Sequence, residues 1–542
     1  MKSNKNNLVL LPIAIAVSIV IGITIGGKFS NSGGIHFSDR KINTILNLVS
    51  DGYVDTVNIN NIVEQTSPQL LSNLDPHTVY IPSKDLNAVN EELDGSFSGI
   101  GVSFFLMNDT VRIIEVLSGG PSEKAGLIAG DKIVSINDSA FVGPSINNQA
   151  VFNKLRGIKG SKVKLGIKRN NTNDILSYDI TRGDIPMVSI DASYMVDKEI
   201  GYIRIDKFAR TTYDEFLQAL VKLKNEGAEK YILDLRGNGG GFMEMAILMA
   251  NEFLPENSLI VYTKGRERKN DQQFWSDGNG SFQNVELAIL IDEFSASASE
   301  ILAGAIQDND RGLIVGRRSF GKGLVQKQFQ LNDSSAVRMT VSRYYTPSGR
   351  CIQKDYKKGE EAYNQDIYDR YAHGELSNKD SIRIDTSNVF MTVNHRKVYG
   401  GGGIVPDIFV PTDTSGITSY YINVSNAGLL QKFAYEFAEI NRDEFKELND
   451  YKQFLRILPS NNSLLYDFVT YASKNGVPAR WFYINQSKSL IVNQLKALIA
   501  RDIFGTEAFY PIYNKNDKMI QKAVKAFNEN KASIPISENI SN

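Results

Sequence analysis

Apolar positions early in the chain recur at helical spacing, first Ile42, Ile45, Leu46 and Val49, then Ile59, Ile62, Val63 and Leu70. That period lines one face of a helix and predicts helical structure from about His36 to Asp94, broken by the turn Leu74-Asp75-Pro76-His77. From about Gly95 to Arg182 the pattern changes to short β-rich runs, Val111–Val116 and Lys132–Ile136, punctuated by glycine and proline. Beyond Pro186 strand and helix alternate. Ile200–Ile205 reads as a strand, and Thr212 with Glu215 has the spacing of a capping box opening a helix with Phe216, Leu217, Leu220 and Leu223, which Gly227 stops. Tyr231–Leu235 is the next strand. The glycine run 237–241 then leads into an apolar helix from about Phe242 to Phe253, and Leu287–Ile291 forms a further buried strand ahead of Ser295-Ala296-Ser297-Ala298-Ser299-Glu300. Such βα units place chemistry at strand C-termini and helix N-termini, an α/β architecture.

A different pattern opens the chain. Lys2 and Lys5 precede an uncharged run from Leu8 to Gly27, about 20 residues and long enough to span hydrocarbon. No Ala-x-Ala-like cleavage pattern follows it, so residues 1–27 are expected to be a retained signal anchor with the N-terminus in the cytosol. The remainder would then lie outside the cytoplasm, on the periplasmic side of a bacterial inner membrane. Composition narrows the function classes: 60 basic against 61 acidic residues give no electrostatic reason for a nucleic-acid partner. A single cysteine, Cys351, excludes an intrachain disulfide and any cysteine-rich metal site.

The chemistry concentrates in two segments, Ser295–Glu300 and Ser319–Gln326. A serine hydroxyl needs an adjacent base to act as a nucleophile, and none of the four histidines, His36, His77, His373 and His395, lies in either segment. A serine–lysine pair is the remaining option. Ser297 is the preferred nucleophile at the strand-to-helix turn, with Ser295 and Ser299 as alternatives. Its base, Lys322, must be neutral, and the uncharged flanks Phe320, Gly321, Gly323, Leu324 and Val325 suit a lysine whose amine is desolvated. Gln326 is placed to hold that amine without adding charge. The backbone of Ala298, with that of Gly240 or Gly241, would form an oxyanion hole. Gly316–Lys322 matches the first seven positions of a phosphate-binding loop, but Gly323 stands where a Ser or Thr is required and a strand pattern follows, which excludes nucleotide binding. No metal or organic cofactor is implied.

Taken jointly, several segments resemble the C-terminal processing (tail-specific) proteases: Leu74–His77, Leu233–Gly241, Ser295–Glu300, Phe320–Gln326, Tyr345–Gly349 and Gly403–Asp407. Between the first two, Ser98–Phe104 and Ser118–Leu127 with Gly130-Asp131 resemble a PDZ domain. The resemblance covers about residues 36–415. It implies a crotonase/ClpP-like protease core with an inserted PDZ domain, Ser297 as nucleophile, Lys322 as base and Gln326 as the residue that orients it. It also implies protein substrates recognised by their C-termini, with Gly99, Ile100, Gly101 and Val102 receiving the terminal carboxylate through backbone N–H groups. The expected division is 1–27 anchor, 28–94 tether and helical region, 95–185 PDZ domain, 186–411 protease core and 412–542 helical extension, with homo-oligomerisation left open. Two other functions compete, a PDZ adaptor on a silent scaffold and a crotonase-type acyl-CoA enzyme. The segment Cys351–Lys397 looks like an insertion, and the sequence beyond Pro411 matches no named domain; within it, Trp481, Phe482 and Tyr483 are expected to be core residues.

Overall fold

A computed structural model describes residues 38–529 except 108, 170–173, 446 and 449; the predicted anchor and its flank lie outside the described residues. The chain divides into two units, residues 1–71 and 72–542. The first holds the predicted helices, Ser38–Gly52 and most of Ile59–Ser72. Among its described residues, Ile42, Ile45, Leu48, Val63 and Leu70 are exposed.

The second unit is built on a six-stranded sheet in the order 190–195, 200–205, 230–234, 286–291, 313–316, 408–409, parallel apart from its first pair. Its strands are apolar on both faces because both faces are covered. Ile203, Leu233, Ile289 and Ile291 point to one side, where helices Thr212–Asn225, Met243–Asn251 and Ala298–Asp308 bury Phe216, Leu220, Met249, Leu302 and Ile306 against them. Tyr202, Ile232, Ala288 and Leu290 point to the other, which the last helix, Lys518–Asn528, covers with Met519, Ile520, Ala523 and Phe527. The C-terminal segment therefore completes the core. A second, antiparallel sheet carries strands Val79–Ile81, Leu259–Gly265, Gln272–Trp275, Leu324–Gln330 and Ala336–Tyr345.

The predicted capping box differs in detail. Thr212 lies inside the first turn, its hydroxyl accepting from Ala209 N and donating to Lys207 O, while Glu215 accepts from the N–H groups of Ser189 and Ile190 and ties the helix to the start of strand Ile190–Met195.

The PDZ region leaves and rejoins the core through one antiparallel ladder, Ser96–Gly99 against Gly183–Pro186. Its main sheet, ordered 102–107, 110–116, 132–136, 162–168, 175–181, closes over Val111, Ile113, Ile133, Val163, Leu165 and Ile167. Strand Val102–Met107 is an edge strand. The helical extension has its own core, including Phe433, Phe454, Phe468, Leu495 and Leu498. Trp481, Phe482 and Tyr483 are not part of it: at 45, 73 and 37% exposure they start the helix Trp481–Phe504 at the surface, while Ile484, Ile491 and Leu495, on its inner stripe, do the packing. Among the described residues no helix is long and apolar enough to cross a membrane.

Candidate active site

Strand Glu286–Ile291 ends in a turn that delivers Ser297 to the N-terminus of helix Ala298–Asp308. The three serines of the run have different surroundings. Ser295 is buried, its hydroxyl donating to Leu235 O at 2.8 Å and accepting from Asp292 N at 2.9 Å. Ser299 is buried too, and donates to Asn238 O at 2.9 Å. Ser297 alone of the three lines the cleft between the two sheets, a cavity of about 730 Å³ that also holds Lys322, Gln326 and Gly239–Gly241. Its backbone has φ 56° and ψ −114°, a conformation that a side chain other than glycine's adopts only under strain.

Glu300, which the sequence reasoning left without a role, ties this turn to the lysine segment. Its buried carboxylate accepts from Ser297 N (2.9 Å), Gly321 N (2.7 Å), Lys322 N (2.8 Å) and the Ser319 hydroxyl. The Ser-x-x-Glu spacing of a capping box was the available signal. Burial raises the Glu300 pKa, against the pull of these donors. Gly321, at φ 90°, makes the bend that presents Lys322.

Lys322 is held below its usual pKa by burial first and by the Arg338 charge second, with Glu300 and Asp75 opposing. Its Nζ lies 3.5 Å from Gln326 Oε1, and among the described residues no hydrogen bond joins it to Ser297 Oγ. Serine and amine line the same cavity.

Of the backbone donors expected to receive an oxyanion, the N–H groups of Ala298 and Gly241 carry no hydrogen bond among the described residues, whereas Gly240 gives its N–H to Asn238 Oδ1 at 2.8 Å. Gly240 instead allows close approach, since a Cβ there would stand 2.7 Å from Ser297 Cβ and 2.8 Å from Ala296 O. The apolar lining of the cleft includes Val89, Leu93, Phe242, Met243, Ile301 and Leu324. In the PDZ region Gly99, Ile100 and Gly101 are buried, Gly101 has φ 75°, and Val102 begins the edge strand. No cluster of His, Cys, Asp or Glu among the described residues is arranged to hold a metal.

Comparison with known proteins matches residues 199–361 to Peptidase family S41, residues 98–180 to the PDZ domain and residues 420–505 to a family of unknown function. The carboxy-terminal processing protease CtpB of Bacillus subtilis is 32% identical over 351 residues, 64% of this chain and 72% of that protein. The carboxy-terminal-processing protease of Bartonella bacilliformis is 33% identical over 314 residues, 57% of this chain and 71% of its own length. Among solved structures, the photosystem II D1 C-terminal processing protease aligns over 70% of this chain and 94% of its own at 24% identity, with a TM-score of 0.35.

Proposed function

The chain belongs to the carboxy-terminal processing proteases, serine peptidases of the S41 type with a PDZ domain, and on that premise we propose that it cleaves exported proteins through a Ser297–Lys322 dyad. What carries this choice is that Ser297 alone of the three serines opens on the cleft that holds a desolvated lysine. Membership disfavours the acyl-CoA enzyme, and the presence of Ser297, Lys322 and Gln326 in one cavity argues against the silent adaptor.

In the proposed reaction neutral Lys322 turns from Gln326 to Ser297 and takes its proton as Oγ attacks the scissile carbonyl. The developing oxyanion is received by the N–H groups of Ala298 and Gly241, both at the N-terminal end of a helix. The protonated lysine then gives its proton to the leaving amine; Lys322, neutral again, deprotonates a water that attacks the acyl-enzyme, and returns that proton to Ser297 Oγ as the ester bond breaks. The apolar cleft lining suits aliphatic or aromatic substrate side chains next to the cut. A substrate C-terminus would add a strand to the free edge of Val102–Met107, its carboxylate on the N–H groups at Gly99–Val102. The enzyme would be held at the membrane by residues 8–27, with the catalytic part outside the cytoplasm.

The test is cleavage of an unstructured protein with an apolar C-terminus by the full chain, compared with Ser297→Ala and Lys322→Ala. Loss in both variants with folding retained is the expected result; cleavage that survives Ser297→Ala removes Ser297 as the nucleophile.

A further inference from the structure

Two parts of the sequence stand outside the dyad chemistry, the turn Leu74-Asp75-Pro76-His77 and the segment Cys351–Lys397. They meet behind Lys322. The Asp75 carboxylate is buried and accepts from His77 N (2.9 Å), Thr78 N (3.0 Å), Thr78 Oγ1 (2.6 Å) and Thr340 Oγ1 (3.2 Å). These bonds fasten the turn to strand Ala336–Tyr345, the neighbour of the strand that carries Gln326. The His77 carbonyl oxygen accepts from Gln326 Nε2. A carbonyl can only accept, so this bond fixes which end of the amide faces it and leaves the acceptor, Oε1, 3.5 Å from Lys322 Nζ.

The second part supplies helix Glu360–Ala372, packed against the same turn and the lysine segment. Tyr363, buried, has its hydroxyl 2.9 Å from His77 Nε2, and its ring meets those of His77 and Phe320 edge-on at 5.3 and 5.8 Å. Gln353 donates to the same hydroxyl at 3.4 Å and accepts from Gly323 N at 2.8 Å. Two turns further on, Arg370 is buried and donates to Ser319 O at 3.0 Å and to Arg318 O at 2.5 Å, its charge balanced by Glu375. The segment thus grips the stretch 318–323 at several backbone points and the turn at one side chain.

We propose that Tyr363 is a positioning residue for the base: by holding His77 it fixes the carbonyl that orients Gln326, and so keeps an acceptor aimed at the Lys322 amine. This rests on Lys322 being the base. The groups facing Lys322 are Arg338 from the adjacent strand, Glu300 from the nucleophile helix, and Asp75 and His77 from the turn. Lys354 and Asp75 face His77 as well, and burial with the Lys322 charge lowers the His77 pKa to about 4, so His77 is uncharged at neutral pH and Arg338 is the cation that faces the amine.

Tyr363→Phe removes the hydroxyl and keeps the ring. In the full chain kcat should fall about tenfold with KM unchanged. The acid limb of the kcat/KM profile should move to lower pH, because an acceptor taken from a buried ammonium favours the neutral amine. A general loosening that admitted water would move the limb the other way, toward the pKa of about 10.4 of a solvated lysine. Gln326→Leu should reproduce the downward shift, and adding Tyr363→Phe to it should cost nothing more. An unchanged kcat, a limb that stays or rises, or additive losses in the double variant overturn the proposal. Full activity of Lys322→Ala would instead remove the base itself, which separates the two failures.

Discussion

Glu300 is the side chain on which both halves of the site depend. Glu300→Gln keeps shape but turns one acceptor into an NH₂ donor facing backbone N–H groups, and leaving such buried donors unpaired costs about 2–3 kcal/mol. The expected outcome is a lower midpoint in denaturant unfolding together with loss of cleavage, even though Ser297 and Lys322, the proposed dyad, are unaltered. Two titrations follow from burial at the same site. His77 has a folded pKa of about 4 against about 6.5 unfolded, so between those values the unfolded chain binds more protons and stability rises with pH. Lys322 is likewise lowered, so its contribution also rises with pH between its folded pKa and the ordinary lysine value. His77→Gln should flatten the slope of unfolding free energy between about pH 4 and 6.5, and Lys322→Met the slope on the alkaline side; chemical denaturation at a series of pH values reads both.

At the scale of elements, the parts that a local pattern can carry were legible. Leu287–Ile291 is an unbroken apolar run and Ile200–Ile205 is interrupted by Arg204 alone among charged residues, because both faces of the sheet are covered, and the helix after Ser297 follows from the turn and the alternation. Contacts distant in sequence were not legible. Nothing near Tyr363 announces that it will lie against His77, 286 residues away, and the register that puts Asp75 on Thr340 exists only once the second sheet has formed. Trp481, Phe482 and Tyr483 misled because aromatic residues bury well wherever a partner exists, and here the packing stripe belongs to Ile484 and Ile491. The last helix is the clearest energetic case. Phe527 is fully buried against the sheet, so Phe527→Ala should cost about 3–5 kcal/mol, and a chain ending before Lys518 should be recovered as aggregated material because one sheet face is stripped.

Across the whole molecule, parts far apart in the chain, the turn at His77, the stretch from Ser297 to Gln326 and the segment that carries Tyr363, converge on one small volume. The main sheet supplies Ser297, the proposed nucleophile, the second sheet and the loop before it supply Gln326 and Lys322, the proposed base, and the turn Leu74–His77 with the Cys351–Lys397 segment supplies the backing. The PDZ region stands on a single two-stranded ladder yet also touches the helical extension, with Arg112 6.0 Å over the Tyr435 ring and Phe105 6.5 Å from it. An intact extension is therefore expected to restrain the PDZ region: Tyr435→Ala should raise hydrogen exchange in strand Val102–Met107 while leaving the protease sheet protected. Should residues 8–27 serve as the anchor, the full chain will fractionate with membranes and a chain starting at Lys28 will not.

The backbone of Ser297 makes the native residue a poor choice by the standards of folding alone. Glycine would occupy φ 56°, ψ −114° without a Cβ to object, and Ser297→Gly is expected to unfold at a higher denaturant concentration than the wild type, by about 1 kcal/mol, while hydrolysing nothing. Selection for robustness and selection for turnover pull in opposite directions at this one position, and a chain that drifted toward the former would become a sturdier protein with no work to do.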